Sequence, residues 1–289
     1  LLTTGPLAIA FLWSYWPALE TMVERWWSDP QYSHGFLVPA FAAMVLWSRR
    51  ALWKEAQWRP SWRGLPIMLA AVGMRLASAS ADIAALDAYS LLAALTGVVL
   101  LAGGWSLLRW SWPAIASLGF MLPLPFAIEA AMAQPLRRMA TVTSTYALQT
   151  LGCPAFSEGN VILIQDNRLG VAEACSGLGM LLTFFALSTA FALVVRRPLV
   201  DRLVLLASAV PVAVAANVAR ITATGLAYHA WGHNSATAHA ILHDMAGWLM
   251  MPLALLLLWA ELRLLDLYFV PAVPRQPLPM LASPLRRRD

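Results

Sequence analysis

The 289-residue sequence predicts an all-α polytopic membrane protein, with about eight transmembrane helices and a short extracytoplasmic hairpin leading into Cys175. Three observations predict it. Hydrophobic residues make up 60% of the chain and charged residues 12%, with a mean hydropathy of +0.64, whereas a soluble domain carries about 25% charge. The apolar residues fall in long blocks, and a helix needs about 20 of them to cross a bilayer. A block such as 252–259 (PLALLLLW) does not alternate as a barrel strand would. Fourteen tryptophans fit interfacial belts, where the ring is buried and its N–H stays wet.

The expected spans are 6–22, 36–53, 64–81, 87–106, 110–127, 176–195, 202–225 and 244–266. The first runs into Trp13 and Trp16 with no small-residue cleavage site, so no cleavable signal peptide is expected. The fifth carries Pro113, Pro123 and Pro125, which make it short, kinked or re-entrant. The stretch 128–175 is expected not to span. Its first part, Ile128 to Leu151, has enough Arg, Gln and Thr for an amphipathic helix lying on the membrane. Val161 to Ile164 is an apolar, β-branched run, Asp166-Asn167 is a turn pair, and Leu169 to Ala174 follows. That pattern predicts the hairpin. Residues 1–269 form one transmembrane domain, and the Pro-rich 270–289 a disordered cytoplasmic tail.

Orientation follows from the basic residues of the short loops. Arg49, Arg50, Lys54, Arg59 and Arg63 follow the second span, Arg196, Arg197 and Arg202 join the sixth and seventh, and Arg286 to Arg288 end the chain. An eight-helix count puts them all on one side, which is then cytoplasmic, as are both termini. Arg137, Arg138 and Arg168 run against the trend, and anionic outer-leaflet headgroups could accept them. The net charge of +5 and pI near 9.7 thus point to membrane lipids as partners and not to nucleic acid. Two cysteines, Cys153 and Cys175, are too few for a disulfide scaffold, and no CxxC or Cys/His zinc spacing is present. His229, His233 and His239 lack a tight ligand spacing, so no metal and no cofactor is expected. Cys153 is expected to be a free, packed residue.

This topology brings Cys175, at the start of the sixth span, to the same outer face as Arg220 near the end of the seventh and His243 at the start of the eighth. Taken singly, each has a bland reading: a small hydrophobe, a snorkelling cation, an interfacial imidazole. Together they form a kit for acyl transfer. A helix N-terminus favours a thiolate, an imidazole moves protons near neutral pH, and a fixed cation holds an oxyanion. Asn217, about one turn before Arg220, could face the same cavity. Asp244 could steer His243 or cap its helix. Glu173 could pair with Arg220 or be an interfacial carboxylate. Ser176 and Gly177 could offer N–H groups to an oxyanion, and His34 could line the entrance or cap a loop.

Glu173-Ala-Cys-Ser-Gly-Leu178, Asn217-Val-Ala-Arg-Ile221 and His243-Asp-Met-Ala-Gly-Trp248 resemble the three signature segments of the exosortase/archaeosortase family, in the family's order and spacing. Tyr32-Ser-His-Gly-Phe36 resembles its N-terminal motif and Glu158-Gly-Asn160 the segment before the hairpin, so the likeness covers roughly 28–265. The resemblance implies a membrane-embedded cysteine protease or transpeptidase of the bacterial inner membrane, its active site facing the periplasm. Cys175 would be the nucleophile forming a thioester, His243 the proton carrier and Arg220 the oxyanion cation. The implied partners are exported proteins with C-terminal sorting tails: a Pro-Glu-Pro-type motif, one membrane helix and a basic cluster. Two other classes are consistent with the residues: a non-enzymatic subunit of exopolysaccharide export or assembly, and a thiol-dependent lipid or glycan acyltransferase. The first would want polar residues along a path between both faces. Here they gather at one.

Overall fold

The computed structural model describes residues 4–55, 58–81, 83–164, 167–171, 177–195, 197–231, 252–253 and 255–267. The described chain is mostly helical. By length and composition, three of its helices can cross a membrane: Gly64–Ala81, Ala85–Met121 and Leu199–Ala230. Leu178–Val194 is a shorter apolar helix.

Helix α1 (Thr4–Ser28) leads into a 3-10 segment, Pro30–Phe36, whose N-cap Asp29 accepts from the Gln31 N–H at 2.9 Å. The expected helix 36–53 is two pieces, α2 (Val38–Ser48) and α3 (Arg50–Glu55). Arg49 stands at the break, where its guanidinium donates to the carbonyls of Trp110 and Arg109 at 3.1 and 2.9 Å.

Helix α4 (Gly64–Ala81) packs on α5 (Ala84–Ser117), joined by an Arg75–Asp87 ion pair at 2.9 Å. Helix α5 is not straight. At Gly104 the backbone turns to φ 69°, ψ −158°. The Tyr89 hydroxyl donates to the Pro123 carbonyl at 3.2 Å, although a straight helix would put residues 89 and 117 about 42 Å apart. The chain therefore reverses at Gly104 into two antiparallel legs. A side chain there would run into the Arg59 carbonyl, and its φ is one that glycine adopts readily. The legs overlap the expected helices 87–106 and 110–127, with the break a little earlier than expected.

A 3-10 turn, Leu118–Met121, then leads to α6 (Phe126–Thr150). The polar residues of α6 do not mark a helix lying alone on a membrane surface. Thr141, Ser144 and Thr145 are buried. Thr141 and Thr145 donate to carbonyls one turn back, and Ser144 reaches the Val218 carbonyl at 3.4 Å. They let α6 pack along α8 (Leu199–Trp231), with Leu148 of α6 against Gly225.

Between α6 and α7 (Leu178–Val194) stands an antiparallel sheet of β1 (Ala155–Glu158), β2 (Val161–Ile164) and β3 (Asn167–Gly170). Ile162 and Ile164, on one face of β2, are fully buried with Ala140, Leu148, Val171 and Ile221. Strand β1 was not expected: Ala155–Glu158 has no run of β-branched residues, and pairing with β2 makes it a strand. The sheet also explains why α8 continues past the expected end at 225, since Leu226 and Tyr228 pack against this core. A second core joins Ala133 of α6, Leu178 and Leu181 of α7, Ala213 and Ala216 of α8, and Leu258 of the closing helix 255–267.

Candidate functional site

Of the residues singled out in the sequence, Cys175, Glu173, Ser176, His243 and Asp244 lie outside the described residues, as do His233 and His239. Gly177, Asn217, Arg220 and His34 are described, and the first three come together.

Gly177 caps the N-terminus of α7 with φ 71°. An ideal Cβ on it would lie 3.0 Å from Nδ2 of Asn217 and 3.7 Å from Cβ of Leu136. Asn217 is 2% exposed, and its Oδ1 accepts from Nη2 of Arg220 at 3.4 Å, one turn further along α8. Arg220 is half-buried, eleven residues before the end of the helix at Trp231 and so farther from a helix terminus than the sequence suggested.

The described residues on either side of the segment 172–176 have defined partners. Before it, the Val171 N–H donates to the Asn160 carbonyl at 2.9 Å, and the Val171 side chain shares a core with Ile221. After it, Gly177 abuts Asn217. Asn217 and Ile221 flank Arg220 on α8. Gly177, the first described residue after the segment, thus stands against the turn that carries the guanidinium.

The Tyr32-to-Phe36 stretch packs on the same end of α7. A Cβ on Gly179 would stand 2.8 Å from the Gln31 Cα and 3.0 Å from its carbonyl oxygen, so only a glycine lets these backbones approach. Glu129, in the first turn of α6, fixes this stretch. It accepts from Gln31 Nε2 at 2.9 Å and from the Tyr32 hydroxyl at 3.0 Å, and Arg25 lies 3.5 Å away. Burial pushes the Tyr32 phenol up from its usual range, which keeps it a donor. The sequence reading missed Glu129. Its signal was a lone carboxylate in an apolar run just after Pro125, where a helix N-terminus favours an acid.

His34 does not face an entrance. It is 2% exposed, and its Nε2 lies 3.0 Å from the Phe120 carbonyl, tying the two 3-10 segments together. A carbonyl only accepts, so Nε2 carries the proton. Burial holds this imidazole below its usual pKa.

Cys153 is a free thiol, 2% exposed, whose pKa burial raises. No group of three or more His, Cys, Asp or Glu able to hold a metal occurs among the described residues. An apolar groove of about 870 Å³ runs between α6 and α8, lined by Met139, Thr143, Val214, Val218, Thr222 and Leu226 among others.

A family model described as transmembrane exosortase matches residues 26–260. No curated protein and no solved structure shows a significant match to the chain.

Proposed function

Because the chain belongs to the transmembrane exosortase family, we propose that it is a cysteine transpeptidase of the inner membrane that cleaves C-terminal sorting tails of exported proteins on the periplasmic side. The observation that supports this reading is that Gly177, two residues after Cys175 in sequence, abuts Asn217, which accepts from Arg220. A thiol nucleophile and a permanent cation are the parts an acyl-transfer site needs.

In this reading the Cys175 thiolate attacks a backbone carbonyl of the tail. The oxygen becomes an oxyanion, and Arg220, steadied by Asn217, holds its charge. His243 gives a proton to the leaving amine as the C–N bond breaks, leaving a thioester on Cys175. An acceptor nucleophile then attacks, His243 takes its proton, and the thiolate departs. Substrates carry a Pro-Glu-Pro-type motif, one membrane helix and a basic cluster, and the released bodies pass to a surface acceptor beside exopolysaccharide.

The test is co-expression with such a tail-bearing protein, read by mass spectrometry of the new C-terminus. Cys175→Ala and His243→Ala should each abolish processing, and Arg220→Ala should cut it steeply, while the protein still inserts. Normal tail cleavage by Cys175→Ala would defeat the reading. Weighing a trapped Cys175 adduct separates a peptide acyl donor from a lipid or glycan one.

A further inference from the structure

Arg137 occupies a place that no charge pairing among the described residues explains. Ala133 and Ala140, one turn to either side of it on α6, are each 2% exposed. Ala133 belongs to the core that holds Leu178, Ala213 and Ala216, and Ala140 to the core that holds Val171 and Ile221. Arg137 therefore sits on α6 where the two apolar cores meet. On α8, Asn217 and Arg220 likewise lie between Ala216 of the first core and Ile221 of the second. Leu136, its neighbour in sequence, is the α6 residue against Gly177.

The side chain is half-buried, and its Nε is closed to solvent with no hydrogen-bond partner among the described residues. Buried donors are almost always paired, because an unpaired one has given up its water for nothing. For a guanidinium the group that satisfies Nε and a neighbouring Nη together is a carboxylate, through two parallel bonds.

We propose that Arg137 is a specificity residue that binds the carboxylate of the acidic residue in the sorting tail, fixing the register of the tail over the Cys175 segment. This rests on the sorting-tail reading above, and it adds the group that reads the tail's charge. A lipid headgroup phosphate is the competing occupant. The half-buried position of Arg137, with its Nε closed to solvent, favours a ligand delivered into the site over one at the bilayer surface.

Binding tests this independently of cleavage. The full chain carrying Cys175→Ala, in lipid nanodiscs, is titrated with two tail polypeptides that differ only in Pro-Glu-Pro against Pro-Gln-Pro. The glutamate tail should bind about tenfold tighter, the worth of one charged hydrogen-bonding pair. Adding Arg137→Gln should abolish that preference, and Arg137→Lys should retain part of it. The preference is a ratio within one variant, so partial misfolding cancels. A preference that survives Arg137→Gln, one absent from the parent, or a tail that does not bind, would overturn the proposal. So would an equal loss for both tails that grows with the anionic-lipid content of the disc, which would assign Arg137 to headgroups. Cleavage by the wild-type chain is scored separately: a glutamate preference without cleavage would sink the transpeptidase reading and leave Arg137 as the tail's anion reader.

Discussion

Gly177 and Asn217 stand in apposition between the N-terminus of α7 and the middle of α8: a Cβ on Gly177 would come 3.0 Å from Nδ2 of Asn217. This contact fixes the first described residue after the Cys175 segment. It is made twice over, by a backbone angle that favours glycine and by the absence of a side chain where the amide lies. Asn217 in turn accepts from Arg220. A displacement of Gly177 therefore reaches the guanidinium through one side chain.

Gly177→Ala should lower stability by about 1–2 kcal/mol through its left-handed φ and also cut tail processing, because the new methyl pushes on Asn217. Gly152→Ala is the matched control. Gly152 has φ 84° but open space around its Cβ, so the same strain arises away from the site. Thermal unfolding in detergent should fall for both variants and processing for Gly177→Ala alone. Equal processing in the two would show that the Asn217 contact does not matter.

Arg220→Ala should reduce processing by about 100-fold or more, the usual cost of losing an oxyanion donor. Asn217→Ala should cost about tenfold, since a neighbour's charged hydrogen bond is worth roughly 1.5–3 kcal/mol at most and this one is long. Combined, the two should cost little more than Arg220→Ala alone, because Asn217 acts through the guanidinium. Initial rates with a tail-bearing substrate measure all three, and full additivity would assign Asn217 a separate role.

The sequence carried the parts of this arrangement that depend on residue type and local pattern. The bounds of α4 and the β-branched run of β2 follow from hydropathy and side-chain shape. Asn217 lies one helical turn from Arg220 because helices are regular. The rest depends on non-local contacts. Nothing local says that Gly179 admits Gln31, that Glu129 braces Tyr32, or that the threonines of α6 face another helix. The reversal at Gly104 needed one further fact, that Arg59 lies against it. Arg137 illustrates the same limit. In the sequence it broke a charge rule, and only the packing of Ala133 and Ala140 shows which side of α6 it shares.

Cysteine reactivity should separate the two thiols. Cys153 is buried among Leu148, Ala155 and Ile164 with its pKa raised, so the native protein should shield it from a neutral thiol reagent. A nucleophilic Cys175 should label under the same conditions. Peptide mass spectrometry after brief alkylation should find label at 175 alone, with 153 labelled only after denaturation. Native labelling at 153 with none at 175 would remove the thiolate on which the proposed chemistry depends.

His34 gives a pH dependence whose sign follows from its burial. Its Nε2–H donates to Phe120, and burial holds the folded-state pKa below 6.5, the value expected in the unfolded chain. Between those two pKa values the unfolded state binds more protons, so stability increases with pH across that window and declines as pH drops below about 6.5. His34→Gln keeps a donor for the Phe120 carbonyl and cannot titrate. The wild-type midpoint of thermal unfolding should therefore fall from pH 7 to pH 5 more steeply than that of His34→Gln. Every other side chain is common to both proteins, so the difference between the two curves isolates this one. Parallel curves would mean that the imidazole gains its proton without leaving its place against Phe120.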